Sequence, residues 1–141
     1  MNDTLITKAG AIIRAMNKKP EEGFCTLALL DQHGDPTAST ISISQSDGIR
    51  WLTFGTGLTS NKAKRIEKCN RACVCVNSLQ YNITLVGTIE ILTDAKTKEE
   101  MWYEALGQHF SGPQDPDFCV LRFQTERYNL LIGWEYEEGS L

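Results

Sequence analysis

The spacing of apolar residues along the chain predicts a mainly β protein that begins with a helix. Over residues 3–17, apolar side chains recur at intervals of three and four, the period of an amphipathic helix, and Asn2 or Asp3 can cap its first turn. Three strand-length segments with turn-forming residues between them then predict an antiparallel meander. These segments are residues 24–30, 37–44 and 49–54.

The middle of the chain combines a short helix with two further strands. Residues 61–69 form the helix, and residues 72–77 form the fourth strand. The fifth strand, residues 81–92, has the clearest alternation of the chain, so one of its faces is predicted to be apolar and the other mostly polar. The apolar face comprises Ile83, Leu85, Ile89 and Ile91.

The last third of the chain predicts a longer helix and a final strand. Asp94 caps a helix of about 15 residues, whose apolar face comprises Met101, Trp102, Ala105, Leu106 and Phe110. Residues 118–125 form the sixth strand, which residues 130–132 extend or follow, and the acidic tail from Glu135 is expected to be loose. Together these elements predict one domain over residues 1–141, a closed or split antiparallel β-barrel of about six strands with three peripheral helices.

Composition and charge narrow the classes of function. The chain has 141 residues and a net charge of −4, which disfavours a general nucleic-acid binder. It has no apolar run of the roughly 18–20 residues that cross a bilayer and no secretion signal at its start, so we expect a cytoplasmic protein without a membrane partner. An oligonucleotide-binding barrel is disfavoured, because the basic residues cluster on a helix and not on strands.

The cysteines do not predict a metal site. Their number, five, in a chain without a secretion signal indicates free thiols. Cys69, Cys73 and Cys75 lie close together, but their spacing matches no zinc motif. Cys73 and Cys75 share one face of a strand and are predicted to be small buried side chains.

The loop of residues 55–60 and the helix after it are the candidate chemical site. Backbone N–H groups at a helix N-terminus carry partial positive charge, and Ser60 is the natural N-cap. Lys62 stands in the first turn, where carboxylate side chains are preferred, and a bound anion would resolve that conflict. Thr56 and Thr59 add hydroxyl donors, so we predict a phosphate-binding loop that lacks the Walker sequence.

A simpler interpretation of the same segment stays open at this point. Five of the 14 basic residues lie within residues 62–71, and such charge runs are usually the solvated face of a helix. Lys64, Arg65 and Lys68 fit that interpretation. Lys62 is the member of the cluster with a positional argument for binding an anion.

Four stretches of the chain carry a family resemblance through their order and spacing. Residues 51–76 read WLTFGTGLTSNKAKRIEKCNRACVCV, and the others read GDPTASTISIS, QYNITLVGTIEIL and HFSGPQDPDFCVLRF. In this order they resemble the pyridoxamine 5′-phosphate oxidase-like family of FMN-binding split barrels, especially its general stress protein branch. Thr56, Ser60 and Lys62 fall on the positions of a family motif.

The resemblance implies a homodimer with two FMN sites at the subunit interface. It places the FMN phosphate near Ser60, Asn61 and Lys62, with Thr56 nearby. It places the edge of the isoalloxazine ring against the strand segment from Ser39 to Ser44, with Asn82 and Thr84 approaching from the neighbouring strand. The residues that it marks for the cofactor are therefore Ser39, Thr40, Ser42, Ser44, Thr56, Ser60, Asn61, Lys62, Asn82 and Thr84.

Three positions depart from the oxidase members of that family. Ser39 and Ser44 stand where those members carry an arginine and a lysine beside the flavin, and Asn61 replaces an arginine. The departures argue against pyridoxamine 5′-phosphate as the substrate, and they imply a modest affinity for FMN because positive charge is missing from the phosphate site.

The leading hypothesis is an FMN-binding flavoprotein with oxidoreductase activity. The flavin would perform the hydride chemistry, and NAD(P)H or another small molecule would be the redox partner. We assign no catalytic acid or base. The alternative is a non-catalytic protein that binds flavin or another cofactor, with a stress-related role. Haem and deazaflavin are also cofactors of this fold, and the scarcity of histidines weakens the haem alternative.

Overall fold

A short amphipathic helix, α1 (Leu5–Arg14), is the first element of the structure, a computed structural model that describes residues 4–141. The side chain of Thr4 caps it by accepting a hydrogen bond of 3.1 Å from the amide of Thr7. The predicted caps, Asn2 and Asp3, lie outside the described residues. One face of α1, which includes Ile13, is buried against the core of the protein.

Seven strands and two further helices follow. The strands are β1 (Phe24–Leu30), β2 (Pro36–Asp47), β3 (Trp51–Gly57), β4 (Arg71–Asn77), β5 (Tyr81–Leu92), β6 (Phe118–Ile132) and β7 (Glu135–Ser140). The helices are α2 (Asn61–Lys68) and α3 (Ala95–Met101), with a 3-10 turn over Glu104–Gln108.

The strands form an antiparallel barrel. Their order is β3-β2-β1-β4-β5-β6-β7, and β3 also pairs with β6, so the first six close on themselves and β7 is added outside the closed barrel. The predicted barrel of about six strands and three helices is confirmed. The predicted bounds of β1 and β5 coincide with the observed ones, because each is bounded by turn-forming residues.

The longest strand, β6, carries most of the pairing. Its first half pairs with β3, nearly its whole length pairs with β5, and its second half pairs with β7. A bulge interrupts the β5–β6 register, since Val86 pairs with Arg127 and Gly87 pairs with Thr125. Glu126 is therefore the extra residue, and its carboxylate pairs with Arg71 at 2.9 Å.

The predicted length of the helix after Asp94 is wrong. Asp94 does cap α3, but α3 has only 7 residues, and the backbone at Trp102 is extended (φ −66°, ψ 143°). The ring of Trp102 then packs edge-on against Phe118 on the outer face of β6, and Phe110 packs beside the same ring, both at 5.2 Å between centroids. Burial of these aromatic rings on a sheet face outweighs the local helix propensity.

Two further expectations are corrected by the structure. The acidic tail is not loose: every residue of β7 pairs with β6, and Tyr128 donates a hydrogen bond of 3.1 Å to Glu137. Cys73 and Cys75 do share one strand face, but it is the half-exposed outer face, because their neighbours such as Val74 fill the barrel. Tertiary pairing decides both outcomes, because neither residues 71–77 nor the tail alternates strictly between apolar and polar residues, the sequence pattern of a strand with one buried face.

The buried thiols are Cys25 and Cys119, and all five cysteines are free. Burial raises the pKa of Cys25 to about 12 and that of Cys119 to about 11. Neither thiol is therefore a reactive thiolate at neutral pH.

The close approach of β6 to Gly87 makes this glycine a test of the fold. A Cβ at Gly87 would overlap the carbonyl oxygen of Gln124 on β6, a backbone atom that cannot move aside. We expect Gly87→Ala to lower the free energy of unfolding by at least about 2 kcal/mol, as measured by urea titration. Gly107→Ala is the control, because nothing lies within 4 Å of its Cβ position; equal stability of both variants would contradict the close approach.

Candidate functional site

The barrel is open along one seam, between the first half of β2 and the end of β3. The two strands pair at Ile43 and Phe54 and again from Ser46, and no described residue of β2 before Ile43 pairs with β3. On its other edge the segment from Pro36 to Ser42 pairs with β1. The β2 peptide groups that face the seam therefore have no strand partner, and they present donors and acceptors to whatever enters it.

A cavity of about 450 Å³ lies over this seam. That volume is within the range of about 300–1,000 Å³ for small-molecule sites. Its floor is formed by the strand residues Thr40, Ile41, Ser42 and Gly55, so two of the predicted cofactor residues, Thr40 and Ser42, line it. Its walls come from the α1–β1 connection and from the 3-10 turn, and they include Glu21, Phe24, Tyr103, Leu106, Gln108 and His109.

The wall residue Tyr103 was not predicted from the sequence. Burial raises the pKa of its phenol, and the side chain of Ser42 partly offsets that rise. Tyr103 is therefore a neutral hydrogen-bond donor over the whole physiological pH range. Neither Tyr103 nor His109 was selected, because a continuous helix would have turned part of this segment away from the sheet. Gly107, a weak helix former, was the signal in the sequence that the helix could end early.

The two remaining predicted residues of β2 lie away from the cavity lining. Ser44 is fully buried, and its hydroxyl has no hydrogen-bond partner among residues 4–141. Ser39 pairs with Leu27 of β1 and is half-buried. The structure thus places the backbone of Ser39 on the open strand but gives its side chain no contact with the cavity.

The start of α2 brings three predicted residues together. Ser60 caps the helix by accepting a hydrogen bond of 3.2 Å from the amide of Ala63, and the hydroxyl of Thr56 donates to the Ser60 hydroxyl at 3.3 Å. Within the described chain, the amides of Asn61 and Lys62 have no acceptor. These two amides and the helix dipole are free to meet an anion.

Lys62 is in an electrostatically unfavourable position. Its side chain is half-buried, and burial lowers the pKa of its ammonium group, with the nearby charge of Arg65 adding to the effect. Among residues 4–141 no carboxylate lies within 4.0 Å of Lys62. A bound phosphate would supply the missing counter-charge, so the residues present fit a phosphate-bearing cofactor.

The predicted phosphate-binding loop, residues 55–60, is held by Asp117, a residue that no sequence signal singled out. The backbone oxygen of Asp117 accepts from the amide of Leu58 at 2.7 Å, and its carboxylate accepts from both the amide and the hydroxyl of Thr59 at 3.1 Å. The Thr59 hydroxyl, predicted as a phosphate donor, is therefore committed to Asp117. Asp117 immediately precedes β6, so the end of the closing strand positions the loop.

The predicted residues of β5 lie on a different part of the barrel. Asn82 and Thr84 are on the outer face of β5, and β1 and β4 separate this strand from β2. The expectation that they approach from a strand that neighbours β2 is wrong within the single chain. The amide oxygen of Asn82 instead lies 3.2 Å from the thiol of Cys75.

Among residues 4–141 no three histidine, cysteine or acidic side chains converge as a metal site would require. In the same part of the chain, every helix is too short or too polar to cross a membrane.

Comparisons with known proteins agree with the fold. The sequence pattern of the pyridoxamine 5′-phosphate oxidase family matches residues 13–131. No functionally curated protein matches the chain in sequence.

Solved structures share the whole fold. A Clostridium acetobutylicum protein related to general stress protein 26 has a TM-score of 0.83 and 21% identity, over 100% of this chain and 97% of its own. An FMN-binding protein of Nostoc punctiforme, related to pyridoxamine 5′-phosphate oxidase, has a TM-score of 0.68 and 17% identity over 100% and 99%. A haem-binding protein of Mycobacterium smegmatis has a TM-score of 0.77 and 17% identity, over 99% of this chain and 59% of that one.

The position of Lys62 predicts an unusual effect on stability. Folding depresses the pKa of Lys62 below 10.5, so at pH 7 the folded state carries a charge that burial disfavours. We expect Lys62→Met to leave the free energy of unfolding unchanged or to raise it in phosphate-free buffer at pH 7. The difference should shrink as the pH rises through the depressed pKa towards 10.5, where the wild-type ammonium loses its proton in both states.

Urea titrations of the wild type, Lys62→Met and the exposed-site control Lys96→Met measure this effect. Inorganic phosphate should then stabilise the wild type and Lys96→Met more than Lys62→Met, because an anion that binds the folded state shifts the equilibrium by mass action. A loss of stability in Lys62→Met without phosphate would show that the ammonium group already has a favourable partner.

Proposed function

This chain belongs to the pyridoxamine 5′-phosphate oxidase family, and we propose that it is a flavoprotein that binds FMN across the β2–β3 seam and the start of α2. The observation that carries the proposal is Lys62, a half-buried cation without a carboxylate partner at a helix N-terminus whose first amides are free. Such a site favours a phosphate group. The FMN-binding relative of the same fold supports the choice of cofactor.

The cavity over the seam suits the isoalloxazine ring. The ring has an apolar body and a polar edge, and the cavity combines the apolar residues Phe24 and Leu106 with unpaired β2 peptide groups. Gly55 keeps the floor flat, since a Cβ there would come within 3.0 Å of the Phe118 ring. FMN, when bound, supplies hydride and single-electron transfer.

The side chains of the cavity would bind and orient the ring and its partner. Tyr103, neutral because its pKa is raised, can donate a hydrogen bond, and Ser42 beside it can donate or accept. His109 is exposed at the rim, where a redox partner such as NAD(P)H would enter. We propose an oxidoreductase on this basis and assign no catalytic acid or base.

The substrate is proposed to differ from pyridoxamine 5′-phosphate. Ser39, Ser44 and Asn61 place neutral side chains where oxidase members carry cations. Ser44 is also buried, so its hydroxyl cannot compensate by contacting a substrate phosphate. The seam therefore favours a redox partner with less negative charge than pyridoxamine 5′-phosphate.

We further propose that two copies of the chain form the complete site. The outer face of the barrel carries three exposed apolar side chains, those of Phe24, Leu131 and Tyr136. Phe24 lies opposite Ser42, and Leu131 lies opposite both Asn82 and Tyr136. A second copy that packs on this face would bury these side chains. Asn82 and Thr84 would then contribute to the cofactor site of the other copy.

Replacement of Lys62 tests the phosphate assignment. We expect Lys62→Ala to weaken FMN binding at least about tenfold, because a charge-assisted contact to the phosphate is lost. Lys68→Ala is the matched control, since it removes the same charge from an exposed position of the same helix. Titration of FMN fluorescence measures both affinities, and equal affinity in the wild type and Lys62→Ala would refute the assignment.

The same samples distinguish the alternative functions. A yellow protein that NADPH or NADH bleaches is an oxidoreductase, whereas a yellow protein that neither reduces is a flavin carrier.

Haem is the second candidate cofactor, favoured by the haem-binding relative and by His109, which lines the cavity and could be an axial ligand. A Soret band that disappears in His109→Ala would favour haem over FMN.

A charge on the outer face tests the dimer. Leu131 is 40% exposed in the single chain, so Leu131→Arg should not disturb the fold but should convert a dimer to a monomer, as seen by sedimentation velocity. The monomer should also lose FMN affinity, because half of each site is gone. A wild-type protein that sediments as a monomer and binds FMN would contradict the proposal.

A further inference from the structure

A second cavity lies on the solvent side of α2 and shares only Asn61 with the residues assigned to the FMN phosphate. It has a volume of about 380 Å³ and is lined by Asn61, Lys64, Arg65 and Lys68 of the helix and by Gln32 of the β1–β2 turn. At about 100° per residue, the four helix positions span an arc of only about 100°, opposite the buried Ala63 and Ile66. The basic residues are therefore gathered on one wall of a concavity and are not spread around the helix.

The charge of this cavity is not neutralised within the described chain. Lys64, Arg65 and Lys68 form no ion pair with any of residues 4–141. The carboxylate of Asp31 accepts hydrogen bonds from the amides of His33 and Asp35 at 2.9 and 3.0 Å, so it is committed to the β1–β2 turn. These hydrogen bonds lower the pKa of Asp31, and the positive charge of Arg65 adds to that effect.

The geometry distinguishes this cavity from the proposed phosphate site. Lys62 does not line it, and on the helical wheel Lys62 lies between the cationic arc and the buried face. The side-chain amides of Gln32 and Asn61 add hydrogen-bond donors to the three cations. A ligand here would meet charge and directed donors together, as multiply charged oxyanions require.

We propose that this cavity binds a phosphorylated small molecule with at least two negative charges, such as the diphosphate group of a nucleotide. A compact anion fits better than a nucleic acid, because the cations line one concave wall and the chain as a whole carries a net charge of −4. The cavity does not include Lys62, so the proposal is that a nucleotide and the flavin bind at the same time.

Inorganic pyrophosphate is the probe, and isothermal titration calorimetry of the full chain at low ionic strength is the measurement. Lys64→Gln and Lys68→Gln should each weaken pyrophosphate binding about threefold, and the double variant about tenfold, since partly exposed charge contacts are modest and add. Lys62→Gln, which disables the proposed anion site at the start of α2, should still bind pyrophosphate at the cavity. Lys96→Gln is the matched charge control, because Lys96 is 86% exposed on α3, away from the cavity.

Three results would overturn the proposal. Absence of pyrophosphate binding by the wild type would mean that the cationic wall is only a solvated helix face. Equal weakening by Lys96→Gln would show that net charge, not the cavity, attracts the anion. Loss of binding in Lys62→Gln would show that the chain has a single anion site.

Discussion

The pairing of β6 along both of its edges is the constraint on which the rest of the structure depends. Its 15 residues must pair with β5 on one edge and with β3 and then β7 on the other. One strand can satisfy all three partners only if it bends, and the bulge at Glu126, opposite the side-chain-free Gly87, provides the bend. Closure at β3–β6 in turn leaves the β2–β3 seam as the place where the barrel can open.

The candidate site is arranged around the two ends of that closure. The first half of β6 holds the end of β3, and Asp117, just before β6, holds the loop that leads to α2. The outer face of the same half-strand seats the aromatic residues after α3, so the 3-10 turn forms a wall of the cavity. A single closing strand thus fixes the floor of the seam, one wall and the phosphate loop relative to one another.

Electrostatics gives α2 two different cationic sides. Lys62 is half-buried and lacks a carboxylate partner among residues 4–141. Burial of its unpaired charge costs folding free energy when no ligand is bound, and a bound anion would remove that cost. Lys64 and Lys68 are solvated and cost little, but the concavity that they share with Gln32 concentrates their charge. The same short helix can therefore hold one anion at its N-terminus and another on its outer side, provided that the two bind independently.

The sequence by itself determined the elements that local chemistry controls. Alternation and turn formers located β1 and β5 to the residue, and a lysine in the first turn after Ser60 indicated the candidate anion site, because each signal lies within a few consecutive residues. Tertiary structure decided the rest. Whether residues 102–110 continue a helix depends on the aromatic surface of β6, and whether the tail is ordered depends on a free strand edge. The face on which Cys73 lies depends on which side of β4 meets the barrel interior. Both cavities are lined by segments far apart in sequence, so no local pattern could encode either cavity.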